Sequence, residues 1–485
     1  MPVSVLACAS VVLASSAVLA LPRAASADTA TCQGKVATIS GPNDGRNTQG
    51  TPGDDVIVTT ADGYDGTAWI RAGAGNDVLC IVPGDGRIPH PRVDSTFTVQ
   101  MGEGNDTVVV QEERNVSYLR VELGDGDDTF LGSSRPEHVW AGNIALEYPE
   151  LGSDLGNDYI DAGLGQDTIN SGSPSPDVRN DDTITSGPGS DSLIIGGFGA
   201  VLDNGGTAGD GEGDGLAIVH KQWLQKRVTV DNRSRVATSD SGELMRWTNV
   251  QAFHIFVDSP VIFTGSDGPD YLGVSTSLEP EYRYATTFDA SMGAGDDKLR
   301  YADGPMNGTI DGGEGEDALE QPYCENIRYV LGRQFRCIET TYNGGRAHFL
   351  TMATGFEGKA IVSASRRAEV IGTQTPDTIL VSARRARVDA RAGDDRVTFG
   401  RVGKGKAVFF GRAGNDVLIG GNGGDRLDGG AGRDKLRGMN RSDVLRGGAG
   451  RDFLVGGKGK DTARGGTGRD RCSSEVSTGC ELPRT

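Results

Sequence analysis

The sequence is poor in aromatic and apolar residues. Only 6% of its 485 residues are aromatic and 36% are hydrophobic, and long helical patterns rich in Ala, Leu, Glu and Lys are missing. It is rich in glycine, with 74 residues, but these do not follow a Gly-X-Y period, which excludes a collagen-like chain. This composition favours an all-β fold with turns at short intervals.

The sequence also lacks the local motifs of common enzymes. It contains no His-Glu-x-x-His, no Gly-x-Ser-x-Gly and no Walker A motif, because "GGKGKD" has no Ser or Thr after its lysine. No Cys-x-x-Cys is present and the five histidines are dispersed, which argues against zinc. We therefore expect no catalysis. One class stays open as an alternative, since parallel β-helices can carry the scattered acid–base groups of polysaccharide lyases and epimerases.

Charge is unevenly distributed along the chain. The formal net charge is −19, yet residues 401–485 carry about +7 and residues 1–400 about −26. An acidic body argues against nucleic acid as the main partner. The basic C-terminal part leaves anionic cell-wall or extracellular polysaccharide as a candidate partner.

The N-terminus resembles an export signal. An apolar stretch runs from Val3 to Leu21, and Ala25-Ser26-Ala27 supplies the small residues before a cleavage site, so residues 1–27 are predicted to be a signal peptide. The usual basic n-region is missing, and a retained membrane anchor is the alternative. We expect a secreted, extracellular protein, cell-surface associated or free, with no membrane span after cleavage.

Cysteine usage agrees with export. Setting aside Cys8, an even number of six cysteines remains, which favours disulfides although six allow 15 connectivities. Their grouping along the chain favours three pairs: Cys32–Cys80, Cys324–Cys337 and Cys472–Cys480.

The decisive signal is a nine-residue repeat. From Gly411 the chain divides without a gap into seven nonapeptides, such as GRAGNDVLI, GGAGRDKLR and GGKGKDTAR. The sixth position is always aspartate: Asp416, Asp425, Asp434, Asp443, Asp452, Asp461 and Asp470. Glycine permits a tight turn with positive φ, and the last three residues form a short strand with one inward apolar side chain. Because one unit buries almost nothing, stacked coils of two units each are predicted, as in a parallel β-roll.

Looser copies occur upstream, including AGAGNDVLC at Ala72, MGEGNDTVV at Met101 and AGLGQDTIN at Ala162. Between them lie spacers with alternating β-branched residues, which predict longer strands without metal-binding turns. We interpret the whole chain as one mostly parallel β-solenoid. Residues 28–200 would be a degenerate repeat region, residues 201–400 a β-rich spacer with isolated repeats, and residues 401–485 the regular array with a C-terminal disulfide cap.

These nonapeptides resemble the calcium-binding repeats of the RTX, or haemolysin-type, family, with the pattern GGxGxDxUx. The resemblance implies that Ca²⁺ lies between turns one coil apart, held by aspartate carboxylates and main-chain carbonyls. The facing pairs would be Asp416 with Asp434, Asp425 with Asp443, Asp434 with Asp452, Asp443 with Asp461, and Asp452 with Asp470. The resemblance extends to the isolated copies at Asp77, Asp106, Asp128, Asp158 and Asp167. Of these, Asp158 and Asp167 would lie on opposite edges.

The chain departs from the family pattern at several points. Met439 and Arg441 replace glycines in the fourth nonapeptide, which weakens the case for the Asp443 turn. Arg433, Arg451 and Lys460 directly precede repeat aspartates, and we expect their side chains to point away from the ion. The alternative for every aspartate is that it only caps a turn by accepting hydrogen bonds from backbone amides.

Two further features have plain explanations. "DGEGDG" at Asp210–Gly215 resembles an acidic calcium loop, but Lys221 stands where an EF-hand needs glutamate, so a solvated loop is favoured. The four tryptophans, Trp69, Trp140, Trp223 and Trp247, could form a sugar platform, although packing in the core or spacer is favoured. Together these observations predict a secreted calcium-binding β-roll protein with a structural or adhesive role.

Overall fold

The structure is a computed structural model and describes most of the chain from residue 30 onwards. The described residues are 30–41, 47–60, 67–83, 96–111, 118–144, 152–153, 156–171, 181–195, 200–203, 215–219, 227–239, 242–248, 250, 252–257, 260–276, 287–303, 307–320, 324–340, 346–356, 359–400 and 405–480. The predicted signal peptide, Trp223 and all but the last residue of the acidic stretch Asp210–Gly215 lie outside them.

Strands, mostly short, make up most of the described residues. Those up to residue 171 are β1 Thr31–Cys32, β2 Lys35–Val36, β3 Ile39–Gly41, β4 Thr48–Gln49, β5 Val56–Thr60, β6 Thr67–Ala74, β7 Val78–Val82, β8 Thr96–Glu103, β9 Thr107–Val110, β10 Tyr118–Asp125, β11 Thr129–Leu131, β12 Glu137–Trp140, β13 Asn143–Ile144, β14 Gly152–Ser153, β15 Tyr159–Asp161 and β16 Thr168–Asn170.

The middle of the chain continues in the same way. Its strands are β17 Thr183–Thr185, β18 Ser192–Ile195, β19 Ala200–Asp203, β20 Gly215–Val219, β21 Val228–Asp231, β22 Val236–Ser239, β23 Gly242–Thr248, β24 Ala252–Val257, β25 Val261–Thr264, β26 Tyr271–Thr276, β27 Phe288–Ser291, β28 Lys298–Asp303, β29 Gly308–Asp311, β30 Ala318–Glu320, β31 Cys324–Val330, β32 Gln334–Thr340, β33 Arg346–Thr354 and β34 Lys359–Ile371.

The last strands belong to the regular array and the coils before it. They are β35 Thr378–Ser382, β36 Arg385–Asp389, β37 Arg396–Phe399, β38 Lys406–Ala413, β39 Val417–Ile419, β40 Arg426–Gly432, β41 Lys435–Asn440, β42 Val444–Gly450, β43 Phe453–Lys458, β44 Thr462–Gly468, β45 Arg471–Ser473 and β46 Val476–Thr478.

The chain winds between two parallel ladders of strands, which we call the first and second sheets. The first sheet includes β5, β7, β9 and β11, and the second includes β6, β8, β10 and β12, so that each coil adds one strand to each sheet. In the array, β39, β41, β43 and β45 pair in the second sheet while β40, β42 and β44 pair in the first. The predicted all-β parallel solenoid, with two nonapeptides per coil, is confirmed.

Two antiparallel meanders interrupt the first sheet. β21, β22 and β23 form one, and β31, β32 and β33 form the other. The longer strands predicted for the spacer are therefore present, but they fold back on themselves instead of continuing the coil. Sequence alternation identifies a strand without specifying its direction, which is why this insertion was not predicted.

The core is a column of single inward side chains. In the array these are Leu418, Leu427, Leu436, Leu445 and Leu454, each fully buried. Upstream coils bury larger residues, such as Phe97 and Phe130, in the same interior. Strands on both sides of residue 400 pair directly, since β37 lies beside β39. The core is therefore continuous there, and the division into domains stays an interpretation.

Disulfides fasten the two ends of the described chain. Cys32 is bonded to Cys80 and fixes the β1–β2 hairpin to the outer face of the first sheet, while Cys472 is bonded to Cys480 at the last coil. Both pairs were predicted. Cys337 is also disulfide-bonded, but the side chain of its predicted partner Cys324 lies outside the described part.

Candidate metal centre

Acidic side chains line both edges of the solenoid from the inside. Each of these acidic residues lies directly before a strand or is its first residue, and nearly all are buried. We call a stack of such residues on one edge an aspartate column. The first edge carries Asp55, Asp77, Asp106, Asp128, Asp158 and Asp182, and later Asp425, Asp443 and Asp461. The second edge carries Glu137, Asp167 and Asp191, then Asp270, Asp297 and Asp317, and finally Asp377, Asp395, Asp416, Asp434, Asp452 and Asp470.

Adjacent members of a column touch through one carboxylate oxygen. The backbone N–H of Asp416 donates to Oδ1 of Asp434 at 2.9 Å, and the N–H of Asp434 donates to Oδ1 of Asp452 at 3.0 Å. The same bond joins Asp452 to Asp470, Asp425 to Asp443, and Asp443 to Asp461. All five facing pairs expected from the resemblance are therefore neighbours, and one oxygen of each caps the turn of the previous coil. Their assignment as metal ligands stays a prediction.

The five upstream aspartates of the prediction belong to similar columns. The backbone N–H of Asp77 donates to Oδ1 of Asp106 at 2.8 Å. The same bond joins Asp106 to Asp128 at 2.7 Å and Asp128 to Asp158 at 2.8 Å, although 22 to 30 residues separate the partners. Asp158 and Asp167 lie on opposite edges, as expected. The copies that looked isolated in the sequence thus have partner turns one coil away.

The turns differ in whether the second carboxylate oxygen, Oδ2, accepts a hydrogen bond from the protein. Within the described residues, Oδ2 is buried and accepts no hydrogen bond in one group of aspartates. This group comprises Asp77, Asp106, Asp167, Asp297, Asp395, Asp416, Asp434, Asp443, Asp452, Asp461 and Asp470. A buried polar atom without a partner is costly, and native proteins contain few of them. A repeated row of such oxygens therefore indicates that a ligand completes the site.

Main-chain carbonyls converge on the same space. A Cβ placed on Gly447 would lie 2.4 Å from Oδ2 of Asp452 and 2.5 Å from the carbonyl oxygen of Gly465. A Cβ on Gly448 would lie 1.9 Å from the carbonyl oxygen of Gly430, one coil before. These glycines leave room for oxygens from two coils, and Gly448 adopts a φ of +118°, which a residue with a side chain rarely adopts.

The donor set fits a hard cation. It consists of carboxylate and carbonyl oxygens, which calcium accepts six to eight at a time. No group of three His, Cys, Asp or Glu side chains converges within the described parts of the chain, so main-chain oxygens would complete the coordination. The residues that would hold each ion are the column aspartate and the glycine carbonyls at the second and fourth turn positions.

Burial and mutual repulsion raise the pKa of these carboxyls. The pKa of Asp434 is raised to about 7, chiefly because burial removes water and then because Asp416 and Asp452 carry like charge. Asp443 and Asp106 are raised to about 7 for the same reasons, and Asp416 to about 6 by burial and nearby Asp394. A cation between the turns would reverse this effect.

The fourth nonapeptide keeps the turn despite its substitutions. Met439 and Arg441 adopt positive φ values of 85° and 74°, and the glycines at these positions in the neighbouring repeats also have positive φ, between 110° and 151°. A side chain in this region is strained by about 1–2 kcal/mol, so the surrounding coils must impose it. The Oδ2 of Asp443 remains buried and unpaired like the others. The substitutions therefore do not remove this turn from the candidate sites.

A second kind of turn, which we call the hydroxyl turn, was missed by the sequence reasoning. At Asp55 the N–H and Oγ1 of Thr51 donate to Oδ2 at 2.6 and 2.9 Å. The N–H groups of Ser266 and Thr373 likewise donate to Oδ2 of Asp270 and Asp377. The Ser266 hydroxyl donates to the carbonyl oxygen of Gly268, and Oγ1 of Thr373 donates to Oδ1 of Asp377. Each of these turns stands at the start of a column and lacks positive φ. The signal Gly-[Ser/Thr]-x-x-x-Asp, as in GTPGDD, GSDGPD and GTQTPD, could have identified them.

Two other column starts resemble the hydroxyl turn. Ser133 donates to Glu137 through both its N–H and its hydroxyl. Asp425 has no hydroxyl beside it, but the N–H groups of Gly421 and Ala407 occupy its two oxygens at 2.7 Å each. Asp425 is thus the one member of the predicted array whose carboxylate is fully bonded by protein.

The basic residues at the fifth turn position stay outside. Arg433, Arg451 and Lys460 are exposed, while the aspartate after each of them is buried. Upstream the fifth position carries amides or acids that bond to the next coil, as when the N–H of Asn105 donates to Oδ1 of Asn76. The expected outward orientation of the basic side chains is confirmed.

The tryptophans divide between core and surface. Trp247 is buried and donates from Nε1 to Asn232, in agreement with the packing expectation. Trp69 and Trp140 lie half-buried on the outer face of the second sheet, with Arg71 and Arg120 each stacked 4.5 Å from the ring centre.

Across the described segments, no helix has the length and apolar character needed to cross a membrane.

Comparison with known families identifies the turns. Residues 62–79, 154–173, 403–436 and 437–472 match the RTX calcium-binding nonapeptide repeat. These matches contain Asp77, Asp158, Asp167 and the seven array aspartates, but leave out Asp106 and Asp128. No curated protein is similar enough in sequence to match the chain. The four segments are therefore RTX repeats, and this chain is a β-solenoid that carries repeats of the calcium-binding type.

Proposed function

We propose that this protein is a secreted component of a cell surface or extracellular matrix that folds when it binds calcium outside the cell. The observation that carries the proposal is the row of buried, unpartnered carboxylate oxygens along the solenoid edges. Export is supported by the apolar segment Val3–Leu21 and by the disulfides, since disulfides persist in oxidising compartments.

Calcium supply would control folding. Without a cation the aspartate columns bury like charges beside one another, which opposes the folded state. Extracellular calcium modules bind at about 10⁻⁴–10⁻³ M, far above cytoplasmic calcium levels. A ligand that binds only the folded chain stabilises it by mass action, so export would itself start folding.

Calcium removal tests this proposal. We expect EDTA to abolish the β-sheet circular dichroism of the array and excess calcium to restore it, whereas magnesium should restore little. Calorimetry should show calcium uptake in the same concentration range. An unchanged spectrum in EDTA together with no calcium uptake would exclude the proposal.

The surface of the array favours an anionic partner. Within residues 405–480, fourteen exposed basic residues stand against Asp428 as the acidic residue outside the columns, since Glu475 ends the first-edge column by accepting the N–H of Asp461. They are Lys406, Arg412, Arg426, Arg433, Lys435, Arg437, Arg441, Arg446, Arg451, Lys458, Lys460, Arg464, Arg469 and Arg471. Calcium would neutralise the buried acids and leave this surface strongly positive. An acidic extracellular polysaccharide is the partner we propose.

Retention on immobilised polymers tests the partner. The calcium-loaded protein should bind an acidic polysaccharide column and elute with salt, but should pass through a neutral polysaccharide of equal length. The variant Arg433→Gln/Arg451→Gln/Arg469→Gln should elute at lower salt while keeping its circular dichroism. Equal retention of protein and variant would reject the proposed surface.

A polysaccharide-modifying enzyme is the alternative. One cluster favours it: on the outer face of the second sheet, Arg120 bonds Glu122 at 3.3 Å and stacks on Trp140, and Tyr118 lies 4.1 Å from His138. Depolymerisation or epimerisation of an acidic glycan, lost in Glu122→Gln, would establish this alternative. Binding without chemical change would support the adhesive role.

A further inference from the structure

A pocket lies on the outer face of the second sheet, within the array. Its volume is about 410 Å³, which is within the range of about 300–1,000 Å³ that is usual for small-molecule sites. Strand β41 contributes Arg437, Met439 and Asn440 to its lining, and strand β43 contributes Phe453, Val455 and Lys458. These residues are separate from the aspartate columns, so the pocket is a feature that calcium binding does not explain.

The pocket forms where one repeat departs from the glycine pattern. Met439 pairs with Gly457 of the next coil, and Gly421 stands at the same position one coil earlier. Because neither glycine has a side chain, the space beside the Met439 side chain is unfilled, and Met439 forms a wall that the coils on either side lack. The side chain of Met439 is 41% exposed.

Backbone strain points to the same residue independently of the pocket. Met439 has a φ of 85°, which a residue with a side chain adopts only at a cost. Strained residues of this kind cluster at ligand-binding and catalytic sites. A strained methionine in place of the repeat glycine therefore indicates that its side chain has a use.

The lining is mainly apolar. Phe453 is 39% exposed, and its neighbour Val455 is partly buried on the same face of β43. The flexible, polarisable thioether of Met439 can adapt to the shape of a ligand. Exposed apolar side chains that meet in a concave site are typical of a surface that binds a ligand with an apolar part.

Positive charge surrounds this apolar lining. Arg437 and Lys458 belong to the lining itself, and Lys435 and Arg471 lie on either side of Phe453 in the register of the sheet. The strands of this sheet within residues 405–480, β39, β41, β43 and β45, contain no acidic residue. The charges therefore complement a ligand that joins an apolar body to an anionic group.

We propose that this pocket binds a single-chain lipid with an anionic head group. The acyl chain lies against Met439, Phe453 and Val455, and Arg437 and Lys458 bind the head group. This site goes beyond the proposed function, because an acidic polysaccharide would contact basic residues all along the array and would need no apolar pocket.

Calorimetric titration of the full-length, calcium-loaded protein with octane-1-sulfonate, kept below its micelle concentration, tests the pocket. This probe carries both an alkyl chain and an anionic group, and we expect it to bind once per chain. Sodium sulfate lacks the chain and should show no measurable binding. Octyl glucoside lacks the charge and should bind about threefold more weakly at low salt.

Met439→Gly is the decisive variant, since it restores the repeat glycine. It removes the wall of the pocket and relieves the strain at positive φ, so affinity for octane-1-sulfonate should fall at least about tenfold while the unfolding temperature stays equal or rises. Arg437→Gln should weaken binding about threefold at low salt. The matched control is Val444→Ala, which shortens a side chain that is 46% exposed on β42 of the first sheet and should leave the affinity unchanged.

Three results would overturn the inference. These are no binding of octane-1-sulfonate by the unchanged protein, unchanged affinity in Met439→Gly, and an equal loss of affinity in Val444→Ala. Displacement of the bound probe by an acidic oligosaccharide would also overturn it, because the pocket would then belong to the polysaccharide surface.

Discussion

The C-terminal array and the upstream coils reach the same edge structure by different chain lengths. In the array, partner aspartates are always 18 residues apart, whereas upstream they are 22 to 30 apart from Asp55 to Asp182. Both regions bury the aspartate, pair its Oδ1 with the neighbouring turn and leave an open Oδ2 in members such as Asp106 and Asp452. The repeated unit is therefore the turn with its short strand, and the rest of a coil can vary in length.

The two regions differ at the fifth turn position. Upstream, Asn76, Asn105 and Asp127 form a second column in which each side chain accepts the N–H of the next coil. On the second edge of the array this position becomes arginine after Asn415, at Arg433, Arg451 and Arg469, and the side-chain acceptor for the next coil is no longer available. The array has thus exchanged a hydrogen-bonded outer edge for a basic one.

The largest effect is expected from a methyl group in an open turn of either region. Gly104→Ala places a Cβ at φ +126°, 2.1 Å from the Gly75 carbonyl, and Gly432→Ala places one 1.9 Å from that of Gly414. We expect each to lower the free energy of unfolding by at least about 2 kcal/mol, measured by urea denaturation in calcium. The control Gly53→Ala, in a hydroxyl turn with no atom within 4 Å, should cost much less. Equal costs at Gly53 and Gly104 would contradict the distinction between the turns.

The next effect concerns pH. The raised carboxyl pKa values, about 7 at Asp434 and at Asp106, mean that the calcium-free folded chain binds more protons than the unfolded chain between about pH 4 and 7. Stability without calcium should therefore be highest at the acidic end and fall as pH rises through 7. Urea midpoints in EDTA at pH 5 and pH 8 measure this, and saturating calcium should remove most of the fall. Greater stability at pH 8 in EDTA would be inconsistent with the account.

A smaller, opposite effect is expected where the array itself is irregular. Met439→Gly and Arg441→Gly should each raise the free energy of unfolding by about 1 kcal/mol, because glycine relieves a side chain held at positive φ. The same replacement at Lys435, which lies in a strand, should destabilise and serves as the control. Thermal unfolding in calcium measures both the expected gain and the loss in the control. A loss of stability in both Met439→Gly and Arg441→Gly would show that the positive φ values of Met439 and Arg441 do not strain the chain.

The smallest effect should come from converting the basic edge to the upstream type. Arg433→Asn would supply the acceptor that Asn415 provides one coil earlier and would remove a charge near the site. We expect calcium affinity to rise by a few tenths of a kcal/mol at low salt and the difference to shrink at high salt. Calorimetric titration at two salt concentrations measures it, with Arg437→Asn, on a strand, as the control. Weaker calcium binding by Arg433→Asn would contradict the outward placement.

Much of the fold follows from the sequence because the array repeats without a gap. Seven aspartates and five leucines in fixed register determine the coil length, the inward positions and the pairing of Asp434 with Asp416 and Asp452. The meanders at β21–β23 and β31–β33 could not be predicted, since alternation does not encode strand direction. The register between turns as distant as Asp128 and Asp158 depends on loops of irregular length, and so it was also hidden.

The candidate site was only partly predictable. The sequence indicates which aspartates repeat, but the loss of a free oxygen at Asp425 depends on the N–H groups of Gly421 and Ala407 meeting it in space. Two of the hydroxyl turns, TPGDDVIV at Thr51 and GSDGPDYLG at Gly265, look like loose nonapeptide copies in the sequence, so their different hydrogen bonding was not predicted. Their own signal is local, and proline at the fifth position in GSDGPD and GTQTPD fits a turn with no earlier coil to accept its N–H.

The most direct test of the central claim is to locate calcium by its anomalous X-ray scattering in crystals grown with the ion. The account predicts ions beside the open Oδ2 atoms in both regions, at Asp106 as well as at Asp434 and Asp452, and none at the Thr51 and Thr373 turns. Ions confined to residues 405–480, or carboxylates of the open turns bound to no ion at all, would contradict it.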